Sequence, residues 1–192
     1  MNRKKVNKKF KKNKYKLIMW IIALLAVFLV IGAIRKYNIE KEIAKYDNEI
    51  LIVKGNGDQL ESVTIKELRK SSSETKVFAI NNGLEKVEIE GVPLEKIFAK
   101  LSFNLKDSAV LFIEDNDGRI KKIPMSNALE PERVYLVYKI NKTPVYDLSK
   151  AYGKMLIIDT NQDSSSSWIT NVKTLDIQWY SQYKVSIFIL FN

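Results

Sequence analysis

Two segments of the chain bring together residue types that could do chemistry. Glu114-Asp115-Asn116-Asp117-Gly118 sets three carboxylates beside a glycine, the material of a calcium loop. Asp163 precedes Ser164, Ser165, Ser166 and Ser167, whose hydroxyls and amides could cradle an anion. The calcium reading fails on register. With Gly118 at the sixth loop position the first is Ile113 and the twelfth is Pro124, where the two key carboxylates belong. A hairpin turn accounts for that segment, and an ordinary polar loop accounts for the serines. Hydrolysis by paired carboxylates stays open, because it needs only two acids at a separation that a linear sequence does not specify. Asn141-Lys142-Thr143 has the spacing of a glycosylation acceptor, but Pro144 follows directly and Asn-Lys is an ordinary turn. Trp168, Trp179, Tyr135, Tyr138 and Tyr152 could line a pocket, although aromatic residues in strands mostly fill cores.

The chain holds neither Cys nor His. That excludes a thiolate nucleophile, a Ser-His-Asp triad, a zinc finger, a His-ligated haem and an iron-sulfur cluster. It also leaves no side chain with an unperturbed pKa between about pH 5 and 8, so no sharp pH switch is expected there. Among 192 residues, 32 are Lys or Arg and 22 are Asp or Glu. Nine of the cations (Arg3, Lys4, Lys5, Lys8, Lys9, Lys11, Lys12, Lys14, Lys16) fall in residues 1–16, which contain no acid. From Glu49 onward there are 19 basic and 19 acidic side chains. The excess belongs to the tail, and the body offers no net field to a polyanion, so nucleic-acid binding is not expected of it.

Residues 17–34 (LIMWIIALLAVFLVIGAI) run without a charge or side-chain amide, with Trp20 where an interfacial aromatic would sit. At about 1.5 Å per residue this stretch spans roughly 27 Å, close to the hydrocarbon thickness of a bilayer, and Lys16 and Arg35 can snorkel to headgroups. It reads as a transmembrane helix that contacts membrane lipid. Nine cations before it, against Arg35 and Lys36 just after, place the N-terminus in the cytoplasm and the body outside, as in a single-pass protein of the cell membrane. A cleaved secretory signal is the competing reading; Val30-Ile31-Gly32-Ala33 matches a cleavage site poorly.

The elements that would position any site follow from these boundaries: a basic cytoplasmic tail at 1–16, the span at 17–34, a helical stalk at 35–48, a body at 49–180 and an apolar segment at 181–192. In the body, residues 49–54 read as a strand stopped by Gly55-Asn56-Gly57-Asp58. Thr64 and Glu67 have capping-box spacing and open a short helix that Ser71-Ser72-Ser73 ends. Strands at 75–80 and 86–90 flank an Asn82-Gly83 turn. Pro93 suits the first turn of a helix whose Leu94, Ile97, Phe98 and Leu101 share one face. A second hairpin joins 110–113 to 119–123, a short helix lies near 126–129, and strands recur at 133–139, 154–159 and 172–179. This is an α+β domain of mostly antiparallel strands with short helices. The segment 185–191 (VSIFILF) is Pro-free and uncharged, and is expected to form a further strand or to dock, on the domain or on a companion protein.

The order of these blocks resembles the molybdopterin-binding domain of the sulfite oxidase family over residues 50–177. ILIVKG with SVTIKEL is similar to the family's first strand and helix, GVPLEKIF to its Gly-x-Pro-Leu helix start, and LFIEDNDGRIKKIPMSNAL to its Asp-Gly hairpin and Pro-x-x-x-Ala-Leu turn. YLVYKINKTPV resembles the Tyr-x-x-Asn-Gly-x-Pro segment, KMLIIDT the Arg-Leu-Val-Val-Pro strand, and SSSSWITNVKTLDI the closing Ser-x-Lys-Trp strand. The resemblance implies a sulfite-oxidase-like fold preceded by one transmembrane helix.

It also implies what is missing. In catalytic members a Cys thiolate ligates molybdenum from the segment matching 77–83, and this chain has no Cys; His and Arg contacts to the pterin are also absent, and the Lys before the closing Trp is Ser167. The expectation is a non-redox member with no cofactor, a membrane-anchored module that binds a partner protein or a small ligand. The alternatives are a molybdopterin-dependent oxidoreductase, a carboxylate hydrolase, or a spacer for a neighbouring membrane protein. Because the corresponding segments flank the cofactor in the family, any pocket is expected where the Asn81-Asn82 turn approaches residues 164–168, with Asn81, Asn82, Tyr152, Lys154, Ser167 and Trp168 as ligand-binding candidates and no catalytic or metal-ligating residue.

Overall fold

The computed structural model describes residues 3–100 and 109–178, with side chains from Tyr15 onward. Leu101, Trp179 and the apolar segment 185–191 lie outside the described residues. The chain divides into two compact units, Met1–Glu42 and Ile43–Asn192.

The first unit belongs to a single helix, α1 (Arg3–Ala44). Its stretch Tyr15–Ala44 is long and apolar enough to cross a membrane, a property that a signal sequence near an N-terminus shares. Its large apolar residues, Leu17 through Ile34, are exposed, as a helix facing lipid would leave them.

Among its described residues the second unit contains two sheets. The first runs in the order β2-β1-β10-β5-β6, with β1 (Ile50–Gly55), β2 (Asp58–Thr64), β5 (Val110–Asp115), β6 (Ile120–Pro124) and β10 (Val172–Gln178). β1 pairs β10 in parallel, and the sheet's other pairs are antiparallel. The second sheet runs β3 (Glu74–Ile80), β4 (Glu85–Pro93), β7 (Val134–Ile140), β8 (Thr143–Pro144), with β9 (Leu156–Asp159) also antiparallel to β7.

Strand β7 (VYLVYKI) buries all seven of its residues. Val134, Leu136 and Tyr138 join the core that contains Leu51, Val53, Leu111, Ile113, Leu175 and Ile177 of the first sheet. Tyr135 and Val137 join a second core with Ile80, Val87, Ile89, Leu156, Ile158 and Trp168. A strand covered on both sides explains a run that is apolar almost throughout rather than alternating.

Helix α2 (Ile65–Ser72) starts with the expected capping box: Thr64 Oγ1 accepts from the Glu67 amide, and Glu67 Oε2 accepts from the Thr64 amide at 2.8 Å. The other short helices, α3 (Leu94–Ala99), α4 (Met125–Leu129) and α5 (Val145–Leu148), each begin directly after a proline at the end of a strand: Pro93, Pro124 and Pro144. Proline is the N-cap residue in all three, one position earlier than the sequence suggested for Pro93. Its locked φ turns the chain out of the strand and needs no ladder donor. Sequence reading passed over β2, β8 and α5; β2 is an edge strand whose side chains are mostly exposed.

Residues 43–49 are tied into the second unit. Ile43 is 0% exposed within the first core. The Tyr46 hydroxyl donates to Asp147 Oδ1 at 2.6 Å, Asp47 pairs with Arg69 at 2.7 Å, and Glu49 pairs with Lys154 at 2.5 Å. The compact unit opens at Ile43, upstream of Glu49. Ile43→Ala is therefore expected to destabilise the folded body by about 2 to 4 kcal/mol, the range for emptying a closed core site. A chemical-denaturation midpoint unchanged by this substitution would contradict the packing.

Candidate functional site

The β3-β4 hairpin closes through residues with positive φ, Asn81 (56°), Asn82 (56°) and Gly83 (82°). Asparagine and glycine are the residues that tolerate this region, which is why the turn was legible in the sequence. The amides of Asn81 and Asn82 meet Asp163. The Asn81 N–H donates to the Asp163 carbonyl at 2.7 Å, and the Asn82 N–H donates to both carboxylate oxygens, at 3.0 and 2.8 Å. The Asn81 side chain donates to Glu85 Oε2 at 3.0 Å.

Asp163 stands at the head of the serine run. Ser164 Oγ accepts from the Ser166 amide and caps a 3-10 turn at Ser165–Ser167, and the Ser167 hydroxyl donates to the Ser164 carbonyl at 2.6 Å. The turn delivers Trp168, 8% exposed, into the second core. Its ring meets Tyr152 edge-on with centroids 6.1 Å apart, and its carbonyl accepts from Lys121 Nζ at 3.4 Å. The indole Nε1–H is buried and has no acceptor among the described residues. Ile169 then pairs with Ile157 of β9 through reciprocal hydrogen bonds of 2.8 and 3.0 Å, which fixes the far end of the loop. The near end is fixed by Arg133, whose Nε and Nη2 both reach Asp159, each at 3.1 Å. These bonds to Asp159, with Glu130 adding, hold the guanidinium above its ordinary pKa.

The structure thus places Asn81 and Asn82 at one end of residues 163–168 and Tyr152 against the other end, with Ser167 and Trp168 between. Lys154 is not part of this group: its ammonium lies 2.5 Å from Glu49 Oε2. Asp163 is the residue that makes the junction, and the sequence reading noted it only as a neighbour of the serines. No local pattern marks it, because its partners lie 81 residues away. Asn81, Asn82 and residues 163–167 are exposed, whereas Trp168 is core. A cavity of about 370 Å³ lies elsewhere in the unit, between β2, α2 and α3, where Val63, Leu68 and Ile97 are flanked by Lys70 and Lys100.

Tyr135 and Tyr138, considered as pocket residues, are both core, on opposite faces of β7. Tyr138 belongs to a partly buried polar chain: its hydroxyl meets Ser73 Oγ and donates to Glu90 Oε1 at 3.2 Å, and Glu90 Oε2 accepts from Lys139 at 3.1 Å. Burial pushes the Tyr138 phenol well above its ordinary range, so it stays protonated and offers Ser73 no base. Burial also raises Tyr135 to about 12, with Glu74, Glu132 and Glu95 adding to the shift.

No family model matches the chain, and no curated protein matches it. Among solved structures the chain is similar to the sulfane dehydrogenase SoxCD from Paracoccus pantotrophus, with a TM-score of 0.50 and 19% identity over 69% of this chain and 39% of that one. The chain thus spans about two fifths of the length of that protein. At this identity the likeness is one of fold: a mixed α+β, sulfite-oxidase-like arrangement of mostly antiparallel strands and short helices, as the order of motifs led one to expect.

Two outcomes follow from this geometry. Asp163→Ala should leave the fold intact and speed hydrogen exchange at the Asn82 amide about tenfold, as removal of one charge-assisted acceptor would; unchanged exchange would show that the junction does not hold in solution. A phenol whose pKa is raised on folding stabilises the folded form below its unfolded pKa near 10, and that stability is lost as pH climbs through the folded value of about 12. Alkaline unfolding should accordingly set in above about pH 10, and Tyr135→Phe should move its midpoint upward; a downward or absent shift would contradict the assignment.

Proposed function

We propose that a sulfite-oxidase-like domain has here become a membrane-anchored binding module, held outside the cytoplasm by residues 17–34, that engages a partner protein or a small ligand instead of running redox chemistry. The observation that carries this reading is the junction at Asn81 and Asn82. The segment that resembles the family's thiolate-bearing stretch ends in these residues, the chain has no Cys, and the turn amides are engaged by Asp163 rather than free to meet a cofactor.

The residues present do not fit a molybdopterin centre. A soft metal of that kind wants a thiolate, and the chain offers neither thiolate nor imidazole anywhere. Among the described residues no group of three or more Asp and Glu side chains could hold a metal ion either. We therefore read the domain as carrying no cofactor.

What remains at the site is an exposed polar surface, the Asn81 and Asn82 side chains and the serine hydroxyls, beside the apolar Leu84 at the hairpin tip, 90% exposed. Trp168 and Tyr152 support it from below and fix its shape rather than touch the ligand. Lys154 acts as a structural partner of Glu49. The charge bias across residues 17–34 supports a cytoplasmic N-terminus and an extracytoplasmic body.

Metal analysis tests the reading directly. Full-length protein made in a host that synthesises the molybdenum cofactor is expected to carry molybdenum far below one equivalent and to leave sulfite unoxidised. Stoichiometric molybdenum would overturn the binding-module reading in favour of a molybdopterin-dependent oxidoreductase of the sulfite oxidase family.

A further inference from the structure

Helix α1 runs without interruption from Arg3 to Ala44, so the basic tail and the apolar stretch share one ruler. At about 1.5 Å per residue, Lys14, Lys12 and Lys11 lie within about 8 Å of Lys16 along the axis, whereas Lys9, Lys8, Lys5, Lys4 and Arg3 lie roughly 10 to 20 Å beyond it. Lys16 directly precedes the apolar run and would stand at headgroup level if the run crosses a bilayer. The attraction of a cation to an anionic leaflet fades over the screening length, about 8 Å at physiological ionic strength. The nine cations therefore divide into two groups of unequal reach.

We propose that Lys11, Lys12, Lys14 and Lys16 form a collar that gathers anionic phospholipid headgroups in the leaflet on the N-terminal side, while the outer five cations contribute little. The inference rests on the reading of the apolar run as a membrane span. A lipid is favoured over a nucleic acid because the span would hold the collar permanently among headgroups, and because the body from Glu49 onward, with 19 basic and 19 acidic side chains, supplies no second surface for a polyanion. Each cation within reach raises the preference for an anionic lipid about fivefold, so four of them make a strong selection even after losses to screening.

The test uses the full chain in nanodiscs of mixed phosphatidylglycerol and phosphatidylcholine, with native mass spectrometry of the lipids retained on release. Orientation does not matter in such discs, which separates lipid binding from any effect of charge on insertion. The wild type is expected to retain phosphatidylglycerol at least about tenfold over phosphatidylcholine, and to lose that preference at about 1 M salt, where the screening length falls to about 3 Å. K11Q/K12Q/K14Q/K16Q should abolish the preference, and R3Q/K4Q/K5Q/K8Q/K9Q should keep most of it. Equal losses in the two variants, or no loss in the first, would overturn the collar. Preferential retention of added RNA over phosphatidylglycerol would overturn the choice of lipid. Failure of the wild type to enter the discs at all would overturn the spanning reading instead, a result that the two lipid ratios do not mimic.

Discussion

Strand β7 contributes to both hydrophobic cores, one on each face, and much of the body is arranged around that constraint. A strand with no face in water cannot carry an unpaired charge, yet Lys139 sits in it at 1% exposure. Glu90, its register partner on β4, supplies the neutralising carboxylate and also accepts from Tyr138. The pairing slips between Glu90 and Gly91, and just there the two backbones come close. A Cβ at Gly91 would fall 2.3 Å from the Leu136 carbonyl oxygen and 2.9 Å from the Val137 Cα. Glycine is required at that position by the space between two strands and not by any turn.

Features that depend on neighbours in sequence were legible. The capping box of Thr64 and Glu67, the Asn82-Gly83 turn and the Asp-Gly hairpin before β6 are each written in a few adjacent residues. β2 was not, because DQLESVT has no buried face to give it alternation; it is held as an edge by pairing with β1, with Asp176 accepting from the Gly57 amide in the intervening turn. α5 and β8 are too short for any period to show. The parallel pairing of β1 with β10 joins residues more than a hundred positions apart, and no local pattern in the sequence pointed to it.

The candidate site divides along the same line. That residues 81–82 approach the serine loop was implied by the family resemblance, and in the structure they meet Asp163 at the head of that loop. That Asp163 makes the contact did not follow, since an aspartate ahead of serines looks like any loop residue. Lys154 was grouped with the site because the family resemblance placed its segment there. The turn at Gly153, with φ of 71°, redirects the chain between them, and Lys154 meets the acid at the start of β1 instead. The basic tail shows the same limit from the other side: composition reports nine cations, but only an unbroken helix ranks them by distance from the apolar run.

The position of β10 bears on how the chain comes off the ribosome. It lies between β1 and β5, so the first sheet exists only as two separate hairpins, β1-β2 and β5-β6, until the last of the described strands arrives. From completion of β6 at Pro124 until Val172 is reached, therefore, the inner edges of both hairpins stand open with their backbone groups unpaired, an invitation to wrong strand partners. Completion of the sheet waits on β10, and a nascent chain stalled before Val172 would keep two unjoined edges exposed.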